Sequence, residues 1–165
     1  MTLEPREYQR AIVETAKKAN TLVVLPTGIG KTMIALLLTM HRLNEKRPSK
    51  ALIMAPTKPL IEQHYETFKK NLPELFGELN LFTGEVPGKE RKKLWQGADI
   101  IFSTPQCIAN DLKKELYNLS EVSLLIIDEA HRCLKNYDYT TVVDFYKRQA
   151  LDQRILGLTA SPGSD

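Results

Sequence analysis

Residues 25–32 read LPTGIGKT, Leu25 to Thr32, and the reading of the whole chain turns on whether this is a phosphate-binding loop. The general pattern G-x-x-x-x-G-K-[ST] places a glycine at the first position, where this chain has Leu25. The parts such a loop cannot do without are present. Gly28 and Gly30 let the backbone curl its amides around phosphates, Lys31 can reach the β and γ phosphates, and Thr32 offers a hydroxyl to magnesium. Pro26, Thr27 and Ile29 complete the loop. Leu25 falls at the exit of an apolar run, where ordinary negative φ is acceptable, so its side chain leaves the cradle open. The competing reading is a chance Gly-Lys-Thr in a glycine-rich turn.

The surroundings favour the phosphate loop. Short apolar runs recur at 21–25 (TLVVL), 51–55 (ALIMA), 79–82 (LNLF), 99–102 (DIIF), 123–127 (SLLII) and 154–158 (RILGL). Their length and flanking turn residues predict strands. Longer stretches with helical spacing separate most of them, KTMIALLLTMHRLNEK and KPLIEQHYETFKKNL among them. The alternation predicts an α/β fold with a mostly parallel central sheet and helices on both faces. Each run is followed by a polar junction: PTGIGKT, PTKPL, TGE, STPQ, DEAH and TAS. In a parallel sheet these junctions share the edge at which open α/β sheets hold ligands. They are also good helix-capping sequences, and the two readings are compatible because a capped helix N-terminus is an anion site.

A nucleotide site needs an acidic partner at the end of another buried strand, and LLIIDEAH supplies Asp128 and Glu129. Asp128 is expected to hold magnesium, and Glu129 to orient and deprotonate an attacking water. Compensation of a helix dipole would be the structural reason for such a pair if it stood alone.

Composition excludes other classes. A 165-residue chain with 42% hydrophobic and 26% charged residues fits one globular domain with its own core. A net charge of +3 is too small to argue for nucleic-acid binding by bulk electrostatics, so that claim rests on local sites. The start MTLEPREYQR has no apolar signal region, and no run reaches membrane-spanning length, so a cytoplasmic protein without membrane contact is expected. Cys107 and Cys133 are too few for a disulfide framework and read as ordinary thiols.

The ordered motifs resemble those of the superfamily 2 DEAH-box helicases and translocases, over nearly the whole chain. LPTGIGKT is similar to motif I of that superfamily, in which the first glycine is commonly replaced. APTKPL (55–60) resembles motif Ia, TGE and TPQ the further strand-binding motifs, DEAH (128–131) motif II and TAS (159–161) motif III. PREYQ, APTKPL and LTASPGS are most similar to the branch of archaeal Hef helicase/nucleases and their Fanconi anaemia M-type relatives. Dicer and innate-immunity RNA helicases share much of the pattern.

The resemblance implies a RecA-like P-loop NTPase domain over 1–165, with ATP and Mg2+ as cofactors. It implies adenine recognition by Arg6 and Gln9, for which a glutamine amide has the right complementarity, and the absence of an N-K-x-D guanine signature agrees with ATP. Pro56, Thr57, Lys58, Thr83, Gly84, Thr104 and Pro105 are implied to contact the phosphates of a nucleic-acid strand, contacts that carry no base sequence. Thr159 and Ser161 are implied to link the acidic motif to that strand, and His131 to sense the γ-phosphate state. A second RecA-like lobe is implied as a partner and lies outside this chain, so the chain alone is expected to be a weak ATPase without unwinding activity.

Other residues read as structural. Lys89, Arg91, Lys92 and Lys93 form a charge run better taken as a solvated face than as strand contacts. His41 and His64 have no ligand-like spacing and are expected at the surface or its boundary. Trp95, Tyr137 and Tyr139 are expected to pack. The functional expectation is the ATP-binding lobe of a DNA helicase acting on branched or forked DNA in repair. An RNA helicase or RNA-sensing lobe, and a non-motor ATP-gated assembly module, are the alternatives.

Overall fold

A computed structural model describes residues 4–26 and 28–160, with backbone alone at Ile29 and Leu134. Thr27 and Ser161 therefore lie outside the described residues. Six strands, β1 (Thr21–Leu25), β2 (Lys50–Met54), β3 (Leu79–Phe82), β4 (Ile100–Ser103), β5 (Val122–Asp128) and β6 (Ile155–Ala160), coincide with the six apolar runs to within two residues at each end. They form one sheet in the order β1-β6-β5-β2-β4-β3 with every neighbouring pair parallel. The helices are α1 (Glu7–Lys18), α2 (Gly28–Glu45), α3 (Lys58–Asn71), α4 (Gly88–Gly97), α5 (Pro105–Lys113) and α6 (Tyr137–Gln149), with a 3-10 helix at Ala130–Lys135. Among the described residues, no helix is long and apolar enough to cross a membrane.

The strand period of two sorts the apolar residues into two cores. On one face, Val13, Ile34, Leu38, Ile61 and Phe68 of α1, α2 and α3 pack with Ile53, Phe102, Ile126 and Leu158. On the other, Ile108, Leu112, Tyr139 and Tyr146 of α5 and α6 pack with Leu52, Ile101, Leu125 and Ile127. Adjacent residues of β5 thus serve opposite cores, which is why the central strands read as unbroken apolar runs rather than alternating ones. On the edge strand β1 the alternation survives: Val23 is buried, whereas Leu22 and Val24 are 61% and 48% exposed.

The basic run behaves as read for Lys89, Lys92 and Lys93, which are exposed, but not for Arg91. Arg91 is buried. Its Nε and Nη2 donate to the two carboxylate oxygens of Asp111 at 2.7 and 2.6 Å, and the Tyr117 hydroxyl donates to the same carboxylate at 2.7 Å. Its Nη1 donates to the carbonyls of Thr83 and Val86. A side chain on the inner stripe of α4 beside Trp95 thus ties the β3–α4 loop to α5. The hydrogen bond to Asp111 pushes the guanidinium pKa up, against the effect of burial. Burial, helped by the same carboxylate, pushes the Tyr117 phenol up. Arg91 thus keeps its charge and Tyr117 its hydroxyl proton, as the donors of the network.

Because Arg91 keeps its charge at any accessible pH, Asp111→Asn would leave a buried guanidinium without its counter-ion. A loss of about 3 kcal/mol is expected from breaking such a pair on one side, read as a lower urea midpoint. An unchanged midpoint would show that the pair contributes nothing net.

Candidate functional site

The strand order divides the carboxyl edge of the sheet into two contiguous halves. The carboxyl ends of β1, β6 and β5 lie side by side, as do those of β2, β4 and β3. Phosphate-loop and acidic-motif residues, far apart in sequence, are thereby separated by one strand, β6, and meet above it.

In the first half, α2 begins at Gly28 directly after the β1 exit. Lys31 and Thr32 lie in its first turn and are buried, as is Gly30. Leu25 is half-buried and pairs with Ala160, and Pro26 forms an exposed bend. Lys31 Nζ stands 3.5 Å from Asp128 Oδ1. A cleft of about 990 Å³ is lined by Lys31, Thr32, Asp128, Glu129 and the His64 side of α3, a size that suits a nucleotide-sized ligand.

Asp128 is 4% exposed, a costly position for a carboxylate. Oδ1 accepts the Glu129 backbone N–H at 2.8 Å, and Oδ2 is 2.7 Å from His64 Nε2. Burial is the largest influence on this carboxyl and pushes its pKa up. The His64 ring, the Lys31 ammonium and the Glu129 amide together outweigh it and hold the group below the ordinary carboxylate range. From the other face, the Tyr139 hydroxyl donates to the Asp128 carbonyl at 2.9 Å. Tyr139 packs as expected and also anchors the acidic strand end, whereas Tyr137, expected to pack too, is 73% exposed at the start of α6.

Glu129 has φ 55° and ψ 43°. The left-handed conformation costs a non-glycine residue about 1–2 kcal/mol. It turns the chain sharply out of β5, leaving Asp128 buried while the half-buried Glu129 side chain lines the cleft. His131 joins this turn to β6: Nε2 is 3.3 Å from Glu129 Oε2, and Nδ1 is 2.6 Å from Thr159 Oγ1.

Gln9 is 6% exposed on α1. Its Oε1 accepts the Arg6 backbone N–H at 2.7 Å, and its Nε2 donates to the Gly30 carbonyl at 3.4 Å. The first bond uses one of the two lone pairs on the oxygen and the second one of the two N–H donors on the nitrogen. One acceptor and one donor position remain, the pair that an adenine edge demands. Arg6 itself is exposed at the start of the helix.

In the second half, Thr57 caps α3 by accepting the Leu60 N–H, and Thr104 stands at the N-cap position of α5, ahead of the buried Pro105, without a side-chain capping hydrogen bond. Pro56 is half-buried and Thr57 and Lys58 are exposed. Thr83 Oγ1 accepts the Glu85 N–H at 3.3 Å. Among the described residues, apart from Gly84 and its two chain neighbours, no atom lies within 4 Å of where a Cβ would stand on Gly84. The fold makes no steric demand for glycine there, and the surface at Gly84 is open to a ligand. Lys58 Nζ bonds Glu85 Oε1 at 2.8 Å, across the β2 and β3 junctions; this hydrogen bond raises the ammonium pKa and lowers that of the carboxylate.

The profile of the DEAD/DEAH box helicase family matches residues 6–165. This chain belongs to the DEAD/DEAH box helicase family. Its fold is the RecA-like helicase fold: it superposes on the crystal structure of the Pyrococcus furiosus Hef helicase domain with a TM-score of 0.86 at 48% identity, covering 98% of this chain and 33% of that one. It is 41% identical to the Neurospora crassa ATP-dependent DNA helicase mph1 over 99% of this chain, and 40% identical to the Schizosaccharomyces pombe ATP-dependent DNA helicase fml1 over 96%. A Methanocaldococcus jannaschii protein with the provisional name of an ATP-dependent RNA helicase is 43% identical over 99% of this chain. The chain spans only 14%, 19% and 21% of the lengths of the Neurospora, Schizosaccharomyces and Methanocaldococcus relatives. Family membership implies nucleotide use.

A second expectation, after that for Arg91, is overturned within this helicase domain. His64 is no surface histidine. It is 5% exposed and bridges Asp128 to Thr32, with Nδ1 3.1 Å from the Thr32 hydroxyl oxygen. The sequence did carry a signal, since Ile61, His64 and Phe68 recur at helical spacing and all three are buried. His41 meets the boundary expectation, pairing with Glu45 at 3.4 Å on a half-exposed surface.

The residues present suit magnesium. Among the described residues no group of three or more His, Cys, Asp or Glu forms a metal cage. One hydroxyl and one carboxylate beside a phosphate loop are the donors expected for an ion that keeps its water and shares the ligand's phosphates. Lys31→Ala is expected to abolish ADP binding measured by calorimetry. Binding at undiminished affinity would contradict the phosphate role of Lys31.

Proposed function

We propose that this chain is the ATP-binding lobe of an ATP-dependent DNA helicase or translocase that acts on branched or forked DNA in repair. The observation that carries the reading is the division of one sheet edge into a Lys31–Thr32–Asp128–Glu129 cleft and an adjoining row of threonine junctions. A motor needs both a nucleotide site and a track for a strand, and here they are neighbours.

In the proposed mechanism, the amides and Lys31 of the loop hold the phosphates, and Gln9 with Arg6 selects adenine. Thr32 and Asp128 hold Mg2+, which when bound neutralises phosphate charge. Glu129, aimed by its left-handed backbone, takes a proton from the attacking water. His131 and Thr159 join the acidic turn to β6 and pass the state of the γ-phosphate to the strand-binding side, a role in which Ser161 also takes part. Pro56, Thr57, Lys58, Thr83, Gly84, Thr104 and Pro105 grip a strand by its phosphates and leave its bases unread. A second RecA-like lobe of the parent protein supplies the arginine that completes the site, an element worth about 10³–10⁵ in turnover at related sites.

The DNA assignment is supported by relatives named as DNA helicases; the RNA-helicase name of the Methanocaldococcus relative keeps RNA as the second reading. ATP hydrolysis by the parent protein is expected to rise on addition of forked DNA, and more than with double-stranded RNA. The reverse order would favour the RNA reading, and no response to either would favour a nucleotide-gated assembly module. The 165-residue chain alone is expected to show no strand separation.

The Lys58–Glu85 pair supplies a second test. If Lys58 contacts strand phosphates, Glu85 competes with them, and Glu85→Gln should strengthen single-stranded DNA binding by about two- to fivefold at low salt, as for an exposed pair. Unchanged or weaker binding would count against Lys58 as a phosphate contact.

A further inference from the structure

His64 lies outside the motifs, yet it is the group that connects the two expected magnesium ligands. Its Nε2 is 2.7 Å from Asp128 Oδ2 and its Nδ1 is 3.1 Å from Thr32 Oγ1. We propose that His64 is a positioning residue for the magnesium site, setting the orientation of Thr32 and Asp128 together. The inference rests on the reading above that these two residues hold Mg2+.

The donor pattern has a direction. An ionised Asp128 only accepts, so Nε2 carries the ring proton toward it. In the neutral imidazole Nδ1 then accepts, and the Thr32 hydroxyl proton points at the ring. A hydroxyl whose proton is committed to His64 can meet a cation only through its oxygen. On the Asp128 side, Oδ1 is committed to the Glu129 amide and Oδ2 to His64, so the carboxylate plane is fixed. Groups that orient metal ligands in this way are worth about 10- to 100-fold in metal affinity.

His64 is itself held firmly. It lies on the buried stripe of α3 between Ile61 and Phe68, both fully buried in the first core. Thr57 caps the same helix. The ring therefore projects from a rigid element, which a positioning role requires. Both ring nitrogens are engaged by Asp128 and Thr32, so His64 acts through those two residues and is a positioning residue, not a catalytic one.

The test compares ADP binding with and without Mg2+ by calorimetry. In the unaltered chain Mg2+ should strengthen ADP binding; if it does not, the magnesium reading of Thr32 and Asp128 falls and the inference with it. His64→Leu fills the space without hydrogen bonds and should reduce the Mg2+ enhancement about tenfold or more, a loss well beyond any change in metal-free ADP affinity. His64→Gln, whose amide can donate to Asp128 and accept from Thr32, should restore most of the enhancement. Equal loss with and without Mg2+, or an intact enhancement in His64→Leu, would overturn the positioning role while leaving the magnesium reading in place. If His64→Leu fails to fold, ¹⁵N resonances of the unaltered ring decide. Adding Mg2+ to the ADP complex should shift Nδ1 while Nε2 keeps its proton, and an unmoved Nδ1 resonance would overturn the proposal.

Discussion

The buried carboxylate of Asp128 is the constraint around which the site is built. A carboxylate 4% exposed is tolerated only if its charge is met by hydrogen bonds and a counter-ion. The partners come from different parts of the chain: Lys31 from α2, His64 from α3 and the amide of Glu129 from the turn after β5. Satisfying one charge therefore fixes three elements relative to each other, and the cleft is what lies among them. Tyr139 adds a tie from the opposite face through the Asp128 carbonyl.

The parallel sheet makes this convergence possible. Every strand delivers its carboxyl end to the same edge, and the order β1-β6-β5-β2-β4-β3 gathers the nucleotide-facing junctions on one side and the threonine junctions on the other. Helix α3 belongs to both sides. Its cap, Thr57, lies in the threonine row, and His64 farther along the same helix reaches the cleft. Capping chemistry and ligand chemistry coincide at these starts, because an oxygen that satisfies an N-terminal amide stands where the helix dipole also attracts phosphate.

Much of this was legible in the residues. The strands announced themselves because both faces are buried, so their apolar runs are continuous. The polar junctions marked the functional edge, and Leu25 at the head of the phosphate loop departs from the general pattern without disturbing it. His64 and Arg91 were misread for a shared reason. Each is polar and each sits on the buried stripe of a helix, His64 between Ile61 and Phe68 and Arg91 beside Trp95. The spacing pointed inward, but residue type suggested the surface. The partner that makes burial tolerable, Asp128 in one case and Asp111 in the other, is remote in sequence.

The sequence by itself determined the α/β class, the six strands, and the phosphate-loop and acidic motifs, because these depend on local periodicity and on short patterns whose chemistry is carried by adjacent residues. Only the tertiary structure decided the strand order, the division of the edge into two halves, the Thr32–His64–Asp128 bridge and the left-handed turn at Glu129. Those features depend on which distant residues must share a buried charge, and that is settled by the packing of the sheet and not by any stretch of sequence taken alone.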